Sequence, residues 1–254
     1  MRMHIEQREL PQAGADNPVL AIRAAVKRFG ARTALDGLDL TLRAGEVFAL
    51  LGPNGAGKTT TINLILGFLK PDAGAVQVCG IEAGSDPVGA RGHVAYIPEQ
   101  VALYPGLSGI ENLRYFATLA GLDLSVDASR RLLTEAGLPE EAHGRPAASY
   151  SKGMRQKVGI AVALARQARL LLLDEPTSGL DPSAAADFSV TVRHAAERGT
   201  AVLMATHDLY RVREMADRVG VLSRGRIVED IDPKTLDHVA LEHLYIERLA
   251  EITA

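Results

Sequence analysis

The sequence predicts an α/β fold with a mixed β-sheet core, an N-terminal antiparallel β-subdomain and an inserted α-helical subdomain. Three observations carry this reading. Val47-Phe48-Ala49-Leu50-Leu51 is an apolar run that meets a glycine-rich loop and then the start of a helix. Residues 170–173 are wholly apolar, as strands are in parallel sheets covered on both faces. Between these runs the texture changes near Leu107, where a capping serine opens a helical pattern.

Taken in order, residues 1–18 read as a flexible leader, with Pro11, Gly14, Asp16, Asn17 and Pro18. Residues 19–26 and 34–42 read as strands, with Phe29-Gly30 in the turn between them. A helix starts over residues 60–66, and residues 75–79 form a strand that includes the single cysteine, Cys79, as core filler. Residues 80–89 are a turn-rich break, and residues 93–97 are a short strand ending at Pro98. Ser108-Gly109-Ile110-Glu111 has the form of a capping box, so a helix runs from there toward Leu119. Residues 127–136 form a second helix stopped by Gly137. A third runs from Ser151 through Ala165, so the helical subdomain spans about residues 107–165. Asp181 caps a helix whose first turn holds Pro182 and which ends near Gly199. Residues 200–205 are the next strand, and residues 219–222 and 226–229 flank the turn Arg224-Gly225 as a hairpin. The main domain thus covers residues 19–230. A C-terminal helical extension, residues 231–254, carries Leu236, Val239, Leu244 and Leu249 to pack on the domain or on a partner. No internal repeat is present.

Composition narrows the function classes. The 254 residues are 47% hydrophobic and 23% charged, with a formal net charge of −3. That balance argues against bulk affinity for nucleic acid, which feeds on positive charge. No apolar run reaches the length needed to cross a bilayer, and the first residues hold no secretory core. One cysteine forms no internal disulfide, which points to a reducing, cytosolic home.

The loop Gly52-Pro53-Asn54-Gly55-Ala56-Gly57-Lys58-Thr59 fits a glycine, four free positions and Gly-Lys-Thr, the pattern of a loop that cradles nucleotide phosphates. Strand, loop and helix start, including Thr60, together aim backbone N–H groups and the positive end of a helix dipole at one point. The expectation is a P-loop NTPase core that takes a nucleotide. Lys58 reaches the β- and γ-phosphates, and the Thr59 hydroxyl helps hold Mg²⁺. Asp174-Glu175 closes the second apolar strand, at the end where ligands of parallel α/β sheets collect. Asp174 is the expected Mg²⁺ ligand, directly or through water, and Glu175 the group that orients and deprotonates the attacking water. His207 follows another core strand, as a γ-phosphate contact would.

The arrangement resembles the nucleotide-binding subunit of an ATP-binding-cassette transporter over nearly all of residues 19–230. The family carries a short signature between its phosphate loop and its acid pair, most often Leu-Ser-Gly-Gly-Gln. This chain has Tyr150-Ser151-Lys152-Gly153-Met154: Ser151 and Gly153 match, and Tyr150, Lys152 and Met154 depart. The resemblance implies that Ser151, Lys152, Gly153 and Met154 grip a γ-phosphate at a helix N-terminus, although Ser151 also reads as a plain N-cap. Ser178-Gly179-Leu180-Asp181 is similar to the loop that passes between subunits. Phe29 takes the place of the aromatic that stacks on adenine, and His207 that of the switch histidine. The family's Pro-Gln reads here as Pro98-Glu99-Gln100, so Glu99 or Gln100 stands on the metal side, and direct alignment favours Glu99.

These features, with the Ser-Lys-Gly-Met run, resemble the ABC-2 type exporter branch. That implies ATP hydrolysis in a nucleotide-sandwich dimer of identical chains, coupled to an integral membrane permease, with the chain peripheral on the cytoplasmic face. Tyr104 and Leu107 are the residues expected to meet the permease. A soluble cassette ATPase acting on ribosomes or nucleic acid is the alternative, and a different phosphate-loop enzyme a more distant one.

Overall fold

The computed structural model describes residues 17–250. Residues 1–16 of the expected leader, and the last residues of the expected C-terminal extension, lie outside the described residues. Two sheets organise the chain. The first is antiparallel, in the order β2-β1-β4-β5, from β1 (Leu20–Phe29), β2 (Arg32–Leu42), β4 (Ala73–Val78) and β5 (Ile81–Glu82). The second is mixed, in the order β10-β9-β3-β8-β7-β6. Its strands are β3 (Val47–Leu51), β6 (Val94–Ile97), β7 (Leu170–Asp174), β8 (Ala201–Thr206), β9 (Arg218–Ser223) and β10 (Arg226–Ile231). All neighbours in it are parallel except the β9–β10 hairpin.

Side-chain alternation along β3 shows why the central strands are apolar throughout. Phe48 and Leu50 enter a core shared with β1, β2, β4 and the helix α1 (Lys58–Ile65). Val47, Ala49 and Leu51 enter a second core on the opposite face, with the helices that follow. Every residue of β3 is fully buried, and each large apolar side chain so placed contributes about 1.5–3 kcal/mol. No polar residue fits on either face.

The inserted helices are α3 (Gly109–Leu119), α4 (Val126–Glu135) and α5 (Lys152–Ala165), which pack on one another and, through α5, on the edge strand β6. The expected capping box is formed: Ser108 Oγ accepts from Glu111 N, and the Glu111 carboxylate accepts from Ser108 N at 2.8 Å. Asp181 caps α6 (Pro182–Glu197), its carboxylate accepting from Ala184 N at 2.9 Å.

Three features depart from the sequence reading. Cys79 is not in a strand; it follows β4 in a turn with φ 49°, half-buried, and burial pushes its thiol pKa up. The turn-rich break contains β5 and a short helix, α2 (Pro87–Gly92), opened by Asp86 accepting from Gly89 N. The hairpin of β1 and β2 runs on through Lys27, Arg28 and Phe29, paired with residues 32–35.

After β8 comes α7 (Leu209–Met215), and the last described element is α8 (His238–Ala250). Leu236 O accepts from Arg213 Nε at 2.8 Å, and the His238 ring stacks on Tyr210 at 4.8 Å, so the C-terminal segment packs on α7. Among the described residues no helix is long and apolar enough to cross a membrane.

Candidate nucleotide-binding site

The end of β3 opens into the glycine loop, and steric fit dictates its glycines. A Cβ at Gly52 would lie 2.5 Å from Leu222 O. At Gly57, φ is 120° and a Cβ would stand 2.8 Å from Ala34 O. The loop is tied down at Gly52, whose N–H donates to Thr206 O, and at Ala56, whose carbonyl accepts from Gly225 N. Gly57 is the N-cap of α1, no side chain caps this end, and the first turn carries no acid. Its N–H groups are therefore presented to an anion.

Lys58 is only 7% exposed. Its Nζ donates to Gly52 O and to Pro53 O at 3.4 Å, and lies 3.5 Å from Glu175 Oε1. A buried ammonium with two carbonyls and one carboxylate is a cation held ready for a better anionic partner. Glu175 sits at the turn after β7 with φ 45°, its N–H donating to Ala205 O. Its Oε2 is 2.9 Å from His207 Nδ1 and accepts from Thr206 Oγ1 at 3.3 Å. The structure thus brings Lys58, Glu175 and His207 together from α1, the end of β7 and the end of β8.

Phe29, Arg32, Pro53, Asn54, Gly55, Gly57, Lys58, Thr59, Thr60, Glu99, Asp174 and Glu175 line one open cleft of about 390 Å³. Phe29 is half exposed on the hairpin wall, with Lys27 Nζ 5.7 Å from its ring centre. Glu99 faces the cleft, whereas Gln100 is exposed and is not part of its lining. Ser151, Gly153, Met154 and Asp181 do not line it either. Ser151 Oγ accepts from Met154 N at 3.2 Å, and Lys152 turns toward Ser178 and Glu99.

Asp174 is partly buried, and burial first, then the Glu175 charge, raises its pKa above the usual carboxylate value. The Tyr96 hydroxyl donates to Asp174 Oδ2 at 3.4 Å, and burial with the adjacent Asp174 charge pushes the phenol up to about 12. Asp174, Glu175 and Thr59 line the same cleft and bring to it the hard oxygen donors that Mg²⁺ takes when it shares a site with phosphates. The residues present therefore fit that ion.

Arg32, Tyr96 and Thr206 were not singled out from the sequence. Arg32 donates to Gly55 O at 3.2 Å, bridging the Phe29 hairpin to the loop tip. Only strand pairing places it there. Its nearness to Phe29 in the chain is the one signal that pointed to it.

The model of the ABC transporter family matches residues 35–178. An uncharacterized ABC transporter ATP-binding protein, YdbJ of Bacillus subtilis, is 38% identical over 87% of this chain and 71% of its own length. The Nod factor export ATP-binding protein I of Ralstonia nicotianae is 36% identical over 92% of this chain and 73% of its own. The daunorubicin/doxorubicin resistance protein DrrA of Streptomyces peucetius is 37% identical over 84% of this chain and 66% of its own. Against these relatives the chain spans about two thirds to three quarters of their length. Among solved structures, an ATP-binding subunit of an ABC transporter superposes with TM-score 0.77 at 33% identity, covering 91% of this chain and 99% of its own. The cassette MJ0796, dimeric and bound to ADP and Pi after hydrolysis, gives TM-score 0.73 at 25% identity, covering 84% of this chain and 98% of its own. With glycine loop, acid pair and histidine gathered at the ends of parallel strands, the chain belongs to the ABC transporter family, as an ATP-binding cassette.

Proposed function

We propose that this chain hydrolyses ATP in a nucleotide-sandwich dimer and powers export through a separate membrane permease, to which it binds on the cytoplasmic side. The observation that carries the reading is the division of the machinery. Lys58, Asp174 and Glu175 line one cleft, with His207 against Glu175, while Ser151 and Gly153 stand outside it, where a second copy could meet them.

The residues divide the work as follows. Phe29 stacks on the adenine, and the loop N–H groups with Lys58 bind the phosphates, Lys58 exchanging the Glu175 carboxylate for phosphate oxygen. Glu175, released from Lys58, takes a proton from the attacking water, and His207 fixes its second oxygen. Thr59 and Asp174 would hold Mg²⁺, with Glu99 or Gln100 beside them; the ion supplies charge neutralisation on the phosphate oxygens. Ser151, Gly153 and the start of α5 from a second copy close over the γ-phosphate, with Lys152 and Met154 on the same turn, and Asp181 lies in the loop between copies. Closure excludes water and fixes the in-line geometry. Export is supported by what the relatives are called, a Nod factor export protein and a daunorubicin resistance protein.

The test is isolation of the tagged chain from detergent-solubilised membranes of its source, followed by mass spectrometry. A stoichiometric multi-spanning partner is expected. Recovery with ribosomes or nucleic-acid proteins and no membrane partner would overturn the permease reading.

A further inference from the structure

Two positions where this chain departs from the family's commonest pattern meet in space. On direct alignment Glu99 stands where glutamine is usual, and Lys152 where the signature has glycine. Lys152 Nζ is 3.9 Å from Glu99 Oε1 and donates to the backbone carbonyl of Ser178. Ser178 Oγ donates to the same Glu99 oxygen at 3.2 Å. Three segments far apart in sequence are thereby joined: the loop after β6, the first residue of α5, and the loop after β7. Glu99 at the same time lines the cleft with Asp174 and Glu175, three carboxylates against the one buried ammonium of Lys58.

We propose that Lys152 is a positioning residue that holds Glu99 in the nucleotide-free chain and competes with Mg²⁺ for it. The inference rests on the ATP–Mg²⁺ reading of the cleft and adds a regulatory contact to it. Lys152 supplies the third carboxylate with a counter-charge, and Ser178 fixes its direction. Metal and nucleotide must draw Glu99 away, which breaks the ion pair and leaves the start of α5 held to the loop after β7 by Lys152 on Ser178 O and Gln156 on Pro176 O. Binding in the cleft is thus coupled to the first turn of α5 through this ion pair. Glutamine and glycine at these two positions have no charge to form it.

The test is a double-substitution cycle with Glu99→Gln and Lys152→Gly, reading the Mg²⁺ concentration that half-saturates binding of a fluorescent ATP analogue, and phosphate release in parallel. Both Glu99 and Lys152 are partly exposed, so the pair is of the weak class. With Glu99 present, K152G lowers the half-saturating Mg²⁺ concentration by about threefold. In the E99Q background K152G leaves it unmoved, and K152R, which keeps the charge, retains the wild-type value. Equal shifts in both backgrounds, or none in either, overturn the proposal. If phosphate release is absent in every form, the hydrolysis reading fails, yet the binding titration still decides this one.

Discussion

Glu175→Gln isolates the chemistry because it keeps the side chain's shape and removes one charge. Two effects on the free protein oppose each other. Lys58 loses its anion at 3.5 Å but keeps the carbonyls of Gly52 and Pro53, so the loss is held to about 1–2 kcal/mol. Asp174 loses the like charge that helps raise its pKa, which offsets part of that loss. The net change is about 1 kcal/mol, or about 2–4 °C in melting temperature for a chain of this size. The chemical step has no such compensation. An amide takes no proton from water, so phosphate release should fall by about 10²–10⁴-fold. ATP binding should persist, because Lys58 then has phosphate as its partner and no competing carboxylate. The assay combines phosphate release, binding of labelled ATP and molar mass by light scattering, in which the variant with ATP should run as a dimer. Phosphate release within about tenfold of wild type, from a variant melting within a few degrees of it, would refute the base assignment.

Gly57→Ala places a methyl group 2.8 Å from Ala34 O at φ 120°, and is expected to cost about 2–3 kcal/mol, read as a lower melting temperature with loss of ATP binding. Asp174→Asn tests the raised pKa. A carboxyl whose folded pKa lies above its unfolded value favours the native state at low pH, and that contribution is lost as pH rises through the folded pKa. The nucleotide-free D174N chain should therefore melt above wild type at neutral pH, with the difference vanishing in acid, while Mg²⁺-ATP no longer raises its melting point. Phe29→Ala removes the exposed ring on the hairpin wall and should weaken ATP binding by about tenfold, measured by titration, with little change in melting. Arg32→Ala frees the loop tip at Gly55 O and should raise the KM for ATP by about threefold without lowering kcat.

The parts of the fold visible in the sequence are those whose signal is local. A buried strand, a glycine loop and a helix start are contiguous in residues 47–66, and the Ser108–Glu111 and Asp181–Pro182 caps are written within four residues. The elements that escaped are too short or too polar to show a period. Helix α2 spans six residues with two glycines, and α7 only seven. The hairpin tip at Lys27 and Arg28 is polar, and is a strand only because β2 pairs with it. The site divides along the same line. Lys58, Thr59, Asp174 and Glu175 could be named from motif, but Arg32 on Gly55, Tyr96 on Asp174 and Lys152 on Glu99 arise from tertiary pairing across long stretches of chain.

The placing of β3 has a consequence during synthesis. Its neighbours in the sheet are β8 and β9, so Val47–Leu51 pairs only with residues from Ala201 onward. At ordinary translation rates the strand leaves the ribosome on the order of ten seconds before either partner exists. Through that interval five apolar residues and an unpaired edge stand open to chaperones, and to neighbouring nascent chains. The strand that delivers the phosphate loop is made well before the strands that pair with it, so a ribosome stalled before residue 201 would hold a chain with that strand's edges unpaired.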